Sequence, residues 1–423
     1  MQSRARTWNL TGDPMQRCRE RQLPLNGPSA GSTLSLDFTT MNGVLDPLIT
    51  FSRVDATARA TFINSLGYVE TVPALQPQAP RFTFSETSIG SPRGLLLEAP
   101  ATNLLKFSAY PDSGWLTAGG FTRPSPYILV TSPANDSTAT KLNYTGTGQG
   151  MYVSAGSMAY TNSVGSVYTF SVWLRAIPGV TANASLRFSD SAVGSPVTTV
   201  SFTTTWARYQ FQYTAVTNSG PYMQSASGTA TGQFECWGCQ LELGSQPSSY
   251  IPTTSTALTR AVDTAIIAAG TNFSSWYTGG TTGTFVANWY GNASSTTART
   301  VIATSDVDDK HLHMYQTASA LTLRLADYTA IATVTTANSL TANALTKGAF
   351  SYASTATSLC LNGGTVATGT LGFSVAPTFL SIGGPSTTGT SITDTSVLLK
   401  NSIRSITYFP TRLSDSEIQA LTT

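Results

Sequence analysis

The chain is short of charge: Lys and Arg number 23, Asp and Glu 21, and together they are 10% of 423 residues, against roughly 25% in an ordinary soluble domain. Their near balance, a formal +2, excludes a global electrostatic pull toward nucleic acid or an anionic membrane. Four cysteines are too few for a disulfide scaffold and fit assembly in a reducing cytoplasm. The only histidines are His311 and His313. With no G-x-S-x-G elbow and no H-E-x-x-H, Ser-His-Asp and zinc hydrolase constellations lack their parts. No apolar run reaches the ~18 to 20 residues of a membrane-spanning helix. The N-terminus lacks the apolar core and small-residue cleavage site of a secretion signal, so release by another route such as lysis is expected.

What fills the space is Thr, Ser, Gly and Ala around short apolar alternations. Residues 1–33 mix Arg4, Arg6, Arg17, Arg19 and Arg21 with Pro and Gly and end in PLNGPSAGST. They read as an extended arm that docks on a partner protein, or as a loose terminus. Residues 34–104 hold brief strand-like runs (LSLDF, LITFSRV, RFTF, GLLLE) broken by turn signals, a small β region. Residues 105–260 carry period-two segments such as YTFSVWLRA, ARYQFQYTA and QFECWGCQLEL, and residues 261–423 repeat the theme with GTFVANWYG, HLHMYQT and LTLRLAD. Such alternation over many short segments predicts antiparallel sandwiches or jelly rolls. The fold class is therefore all-β, two tandem β-sandwich domains behind an arm and a small β region. Trp173 and Trp237, inside the strongest strands, are expected in the core. SDSEIQALT at the end predicts a short helix with Ser414 or Asp415 as N-cap and Glu417 in its first turn.

Two stretches, PRFTFSETSIGSPRGLLLEAPATNLL at residues 80–105 and FECWGCQLELGSQPSSYIPTTSTALTRAVD from Phe234 to Asp263, resemble segments of tailed-bacteriophage virion proteins: tail fibres, baseplate parts and capsid-attached spikes. Val167–Arg175 and Phe234–Leu243 resemble strands of carbohydrate-binding-module jelly rolls. The tail SIRSITYFPTRLSDSEIQALT, with Gly283–Trp289 as an early strand and Cys360–Gly364 as a hairpin, resembles the close of concanavalin-like (laminin-G-like) lectin modules. These resemblances imply a non-enzymatic virion protein assembled in the host cytoplasm. Its partners would be other virion proteins (capsid, portal, tail or baseplate) and host-surface glycans, with no membrane insertion, and its assembly a homotrimer.

Candidate chemistry is sparse. Cys236 and Cys239 form a CxxC, but three residues apart on a regular strand they face opposite ways, so their sulfurs are expected not to meet. Asp306, Asp308 and Asp309, just before the two histidines, suit a Ca²⁺ loop at a sandwich rim, a solvated turn being the plainer reading; no other cofactor is expected. Trp115, Tyr127, Trp276, Tyr277, Trp289 and Tyr290 lie near turn signals and are the candidates for stacking on sugar rings, with core packing the competing reading. The strands expected on a concave sheet lack the close ExDxE-type carboxylates of glucanases, which leaves a glycan depolymerase a minor alternative. A decoration or cement protein that binds no sugar is the other.

Overall fold

A computed structural model describes residues 31–39, 44–54, 60–73, 76, 78–111, 114–122, 128–146, 149–153, 161–179, 185–190, 197–218, 220–225, 232–291, 298–305, 311–317, 321–327, 330–336, 340–341, 343–370, 376–386 and 388–423. Nearly all of the regular structure is antiparallel β-sheet, arranged as two sandwiches.

The first sandwich packs two five-stranded sheets. One runs in the order Ala207–Thr214, Val167–Ala176, Gly232–Leu243, Ala139–Tyr144, Leu129–Val130; the other Val197–Ser201, Ser185–Asp190, Pro221–Ser225, Gly150–Val153, Trp115–Ala118. Period-two side chains from both meet in a core that includes Phe170, Val172, Phe188, Met151, Met223 and Phe234, as alternation with one buried face requires. Val167–Ala176 is buried almost throughout. The reason is a second layer: Trp173, Trp237 and Tyr250 on its outer side pack with Ile63, Val69 and Phe84. Trp173 and Trp237 stand edge to face with centroids 5.3 Å apart, in the core as expected.

The second sandwich corrects the expected organisation. Its eight-stranded sheet contains Gly283–Tyr290, Leu345–Ala353 and Asn401–Phe409, but also Leu34–Asp37, Phe82–Phe84 and Pro92–Leu97. Leu34 pairs with Tyr408 and Leu36 with Ile406, while Asn401 pairs with Leu97. In the facing seven-stranded sheet, Ile49–Ser52 pairs with Thr264–Ile267. Residues 34–104 are thus no separate β region. Strands of three or four residues bury too little alone, and these complete both layers of a core holding Leu34, Leu36, Leu95, Phe285, Trp289 and Tyr408. The arm also ends sooner than residue 33: the Thr33 amide donates to Tyr408 O at 3.0 Å and its hydroxyl to Trp276 O at 2.7 Å. Residues 1–30, with Arg4, Arg6, Arg17, Arg19 and Arg21, lie outside the described residues.

The chain leaves this sandwich and returns to it at one place, where Ala101–Asn103 pairs with Leu258–Arg260. The last helix, Asp415–Thr422, begins with a capping box: the Ser414 amide donates to Glu417 Oε2 at 2.7 Å and the Ser414 hydroxyl oxygen accepts from the Glu417 amide.

Candidate functional site

Five charged side chains, Arg53, Arg81, Glu98, Arg260 and Asp263, are sealed at the junction of the two sandwiches. Arg53 Nη1 lies 2.9 Å from Asp263 Oδ1, Arg81 Nη1 2.8 Å from Glu98 Oε2, and Arg260 Nη1 3.1 Å from the same oxygen; Arg81 also pairs with Asp263. The Ser249 amide and hydroxyl donate to Glu98 at 2.7 and 2.6 Å, and Arg53 and Arg81 donate to Ala79 O and Thr61 O. Burial opposes ionisation of Glu98, but the charges of Arg260 and Arg81, then the Ser249 hydrogen bonds, hold its carboxyl at about 2. Charges this deep are costly unless paired. Here they fix one returning segment, with Arg260 and Asp263, against three N-terminal ones, and their role is to hold the sandwiches in one geometry.

The expected sugar platform is core. Trp115 and Trp276 are 2% exposed and Trp289 not at all, and Tyr277 and Tyr290 are buried with them. Trp276 packs on Phe273 and Tyr408, Tyr277 stacks on Tyr408, Trp115 leans on Phe170, Trp289 donates its indole N–H to Gln316 and Tyr290 lies under the Arg93 guanidinium. None of the five can stack on a ligand. Tyr127, Asp306, Asp308 and Asp309 lie outside the described residues. His313 Nε2 sits 2.7 Å from Thr300 Oγ1, and among the described residues no cluster of three His, Cys, Asp or Glu has metal-holding geometry.

The CxxC also differs from expectation. Cys236 and Cys239 are both buried with sulfurs 4.0 Å apart, because a bulge shifts the register between Ser171 and Trp173 and Gly238 takes a φ of +68°. The extra residue returns both side chains to one face. They are free thiols; burial, then Cys236, pushes the Cys239 thiol well up, the opposite of a reactive cysteine.

A different aromatic surface does face outward. On the sheet of the first sandwich, Met151 and Met223 point into the core, which turns Tyr152 and Tyr222 the other way. The two pair directly across strands, their rings 5.7 Å apart and near-perpendicular, and Leu116, 39% exposed, is the next neighbour of Tyr152. Both rings are half-buried and belong to none of the hydrophobic cores. Tyr222 lies across Gly150: a Cβ there would come within 2.4 Å of its ring. Gln224, opposite Gly150, adds an amide at the same level. Burial and then Tyr152 push the Tyr222 phenol up. The readable signal was an aromatic on the outward phase of an alternating strand, in GMYV and PYMQS.

No protein-family model matches the chain, and no curated protein does. Among solved structures it is similar to the carbohydrate-binding module of a Ruminococcus gnavus sialidase bound to α2,3-sialyllactose (20% identity, 33% of this chain and 82% of that one, TM-score 0.29). It is also similar to domain 4 of an arabinanase from Geobacillus stearothermophilus in complex with arabinotriose (13%, 42% and 82%, 0.30). Domains LG4–5 of the mouse laminin α1 chain are a third (10%, 60% and 86%, 0.28). At these scores the likeness is one of partial shape.

Proposed function

We propose that this chain is a non-catalytic glycan-binding protein of a tailed-bacteriophage virion, mounted on tail, baseplate or capsid. Its arm docks on other virion proteins, and the first sandwich presents the Tyr152–Tyr222 face to saccharides of the host surface. The observation that carries the binding reading is that face: two tyrosines beside an exposed leucine and a glutamine, outside every described core, offer apolar ring surface and hydrogen-bonding groups together. The virion setting rests on the resemblance of residues 80–105 and 234–263 to phage structural proteins. The buried Arg/carboxylate junction suits such a part, since it fixes the binding sheet relative to the second sandwich. Homotrimeric assembly would multiply a weak single site into useful avidity, by roughly 10² to 10⁴.

A glycan array probed with the wild-type chain and with Tyr152→Ala and Tyr222→Ala tests the reading. Saccharide binding that falls in both variants, with folding intact, supports it. Absence of binding to any glycan by wild type overturns the adhesive role and leaves the cement alternative.

A further inference from the structure

Above the junction the two sandwiches enclose a cleft. Cavities of about 490 and 300 Å³ flank the connection at residues 246–249 and share Glu98, Ser248, Asn343, Lys400 and Asn401; sites for small ligands span roughly 300–1,000 Å³. Arg93, Arg208 and Lys400 bring positive charge to the larger cavity, and none of them has a carboxylate partner among the described residues. Arg208 is held rigid, Nη1 donating to Ser248 O at 2.7 Å and Nη2 to Ser171 Oγ at 2.9 Å, with its plane 4.4 Å above Trp173. Its buried Nε has no hydrogen-bond partner, and neither has that of Arg93, whose guanidinium lies 4.5 Å over Tyr290. Lys400 has a φ of +54°, a strained conformation for a residue with a side chain and one that concentrates at ligand sites. Arg299, near Lys400, donates to the carbonyls of Ser396 and Leu398.

The lining acids balance these groups only in part. Glu98 is committed to Arg81, Arg260 and Ser249; Glu242 accepts from the neutral Ser248 and Gln240 and acts on Arg208 and Lys400 without an ion pair to either; and Glu86, the acid acting most on Arg208, stands exposed at the edge. Arg93 and Arg208 are partly buried and Lys400 exposed at the rim; partly desolvated cations without a directly paired counter-ion are costly, and an anion in the cleft relieves that cost.

We infer that the cleft between the sandwiches is a second saccharide subsite that takes a carboxylate-bearing sugar, a uronate or sialate residue. Its carboxylate sits among Arg93, Arg208 and Lys400, and its hydroxyls face Asn343 and Asn401. The inference rests on the glycan-binding reading above and names the class of glycan.

The test uses the full chain on an array of uronate- and sialate-bearing oligosaccharides beside the same compounds after carboxyl reduction, with polygalacturonate and its reduced form titrated by calorimetry. Lys400→Asn removes the cation while retaining a residue that tolerates the left-handed backbone; Arg93→Gln is the second variant. The expected result is a preference for acidic over reduced glycans that weakens with salt and falls about tenfold or more in each variant, the size of one charge-assisted contact, while neutral glycans bind unchanged. Equal binding of acidic and reduced forms by wild type, or acidic binding unchanged in both variants, overturns the subsite and spares the Tyr152–Tyr222 face. Failure of wild type to bind any saccharide overturns both readings.

Discussion

Arg81 and Glu98 lie 2.8 Å apart, both buried, and between them they join the strand that opens at Phe82 to the one that closes at Leu97. The pair is the centre of the charged junction, and it sets a pH dependence. The folded carboxyl of Glu98 titrates at about 2 against an ordinary 4.5. A depressed carboxylate contributes stability that is complete above the unfolded value and lost as pH falls through the folded one. Stability is therefore expected to decline between pH 4.5 and 2, by on the order of 3 kcal/mol from this group. Denaturant melts at stepped pH check it, and Glu98→Gln removes that slope while costing roughly 3–5 kcal/mol at neutral pH.

Gly238 cannot carry a side chain. A Cβ there meets Trp173 Cε3 at 2.6 Å, and φ is +68°. Gly238→Ala is expected to cost roughly 2–5 kcal/mol, combining left-handed strain and overpacking, read as a lower melting temperature and a changed near-ultraviolet signal from Trp173 and Trp237.

Trp276 and Tyr152 separate core from surface. Trp276→Ala, in the second core, is expected to lose roughly 3–5 kcal/mol. Tyr152→Ala costs about 1 kcal/mol or less yet lowers affinity for bound glycans on the order of tenfold. Thermal melts beside array binding tell the two apart; a stability loss at Tyr152 as large as at Trp276 refutes an outward role for it.

Removing residues 1–30 leaves Thr33 and its bonds to Tyr408 and Trp276 in place. The truncated chain is expected to melt as wild type does and to be missing from particles assembled with it, as seen by electron microscopy. Normal incorporation shifts the anchoring role to the sandwiches.

The all-β class, Trp173 and Trp237 in the core and the Ser414 cap follow from local pattern, since period-two alternation and capping chemistry act over a few residues. The partners of Leu34–Asp37 and Ile49–Ser52 do not: alternation marks a strand but not which distant strand accepts it. The CxxC misled because one residue, Gly238, inserts a bulge and inverts the face of everything beyond it. The aromatic platform misled for a related reason. Nearness to turns says little about burial, and Trp276 and Trp289 are held by residues far along the chain, whereas Tyr152 and Tyr222 declare themselves only by phase within their own strands. The Arg/carboxylate junction was invisible in a chain with so few charges, because its members come from four separate segments, only Arg260 and Asp263 being neighbours in sequence.

The pairing of Leu97 with Asn401 also sets a timetable. At ~5–20 residues per second, a ribosome delivers the second partner about 15 to 60 s after the first. Throughout that interval Leu34–Asp37 and the Leu95–Leu97 edge are synthesised without the strand Asn401–Phe409 that they pair with, while the stretch between Asn103 and Leu258 is already long enough to close its own core. The nascent chain is then a finished inner domain carrying bare edges on one flank, and it is in this window, before Asp263 and the last strands arrive, that it is most exposed to pairing with a neighbouring copy.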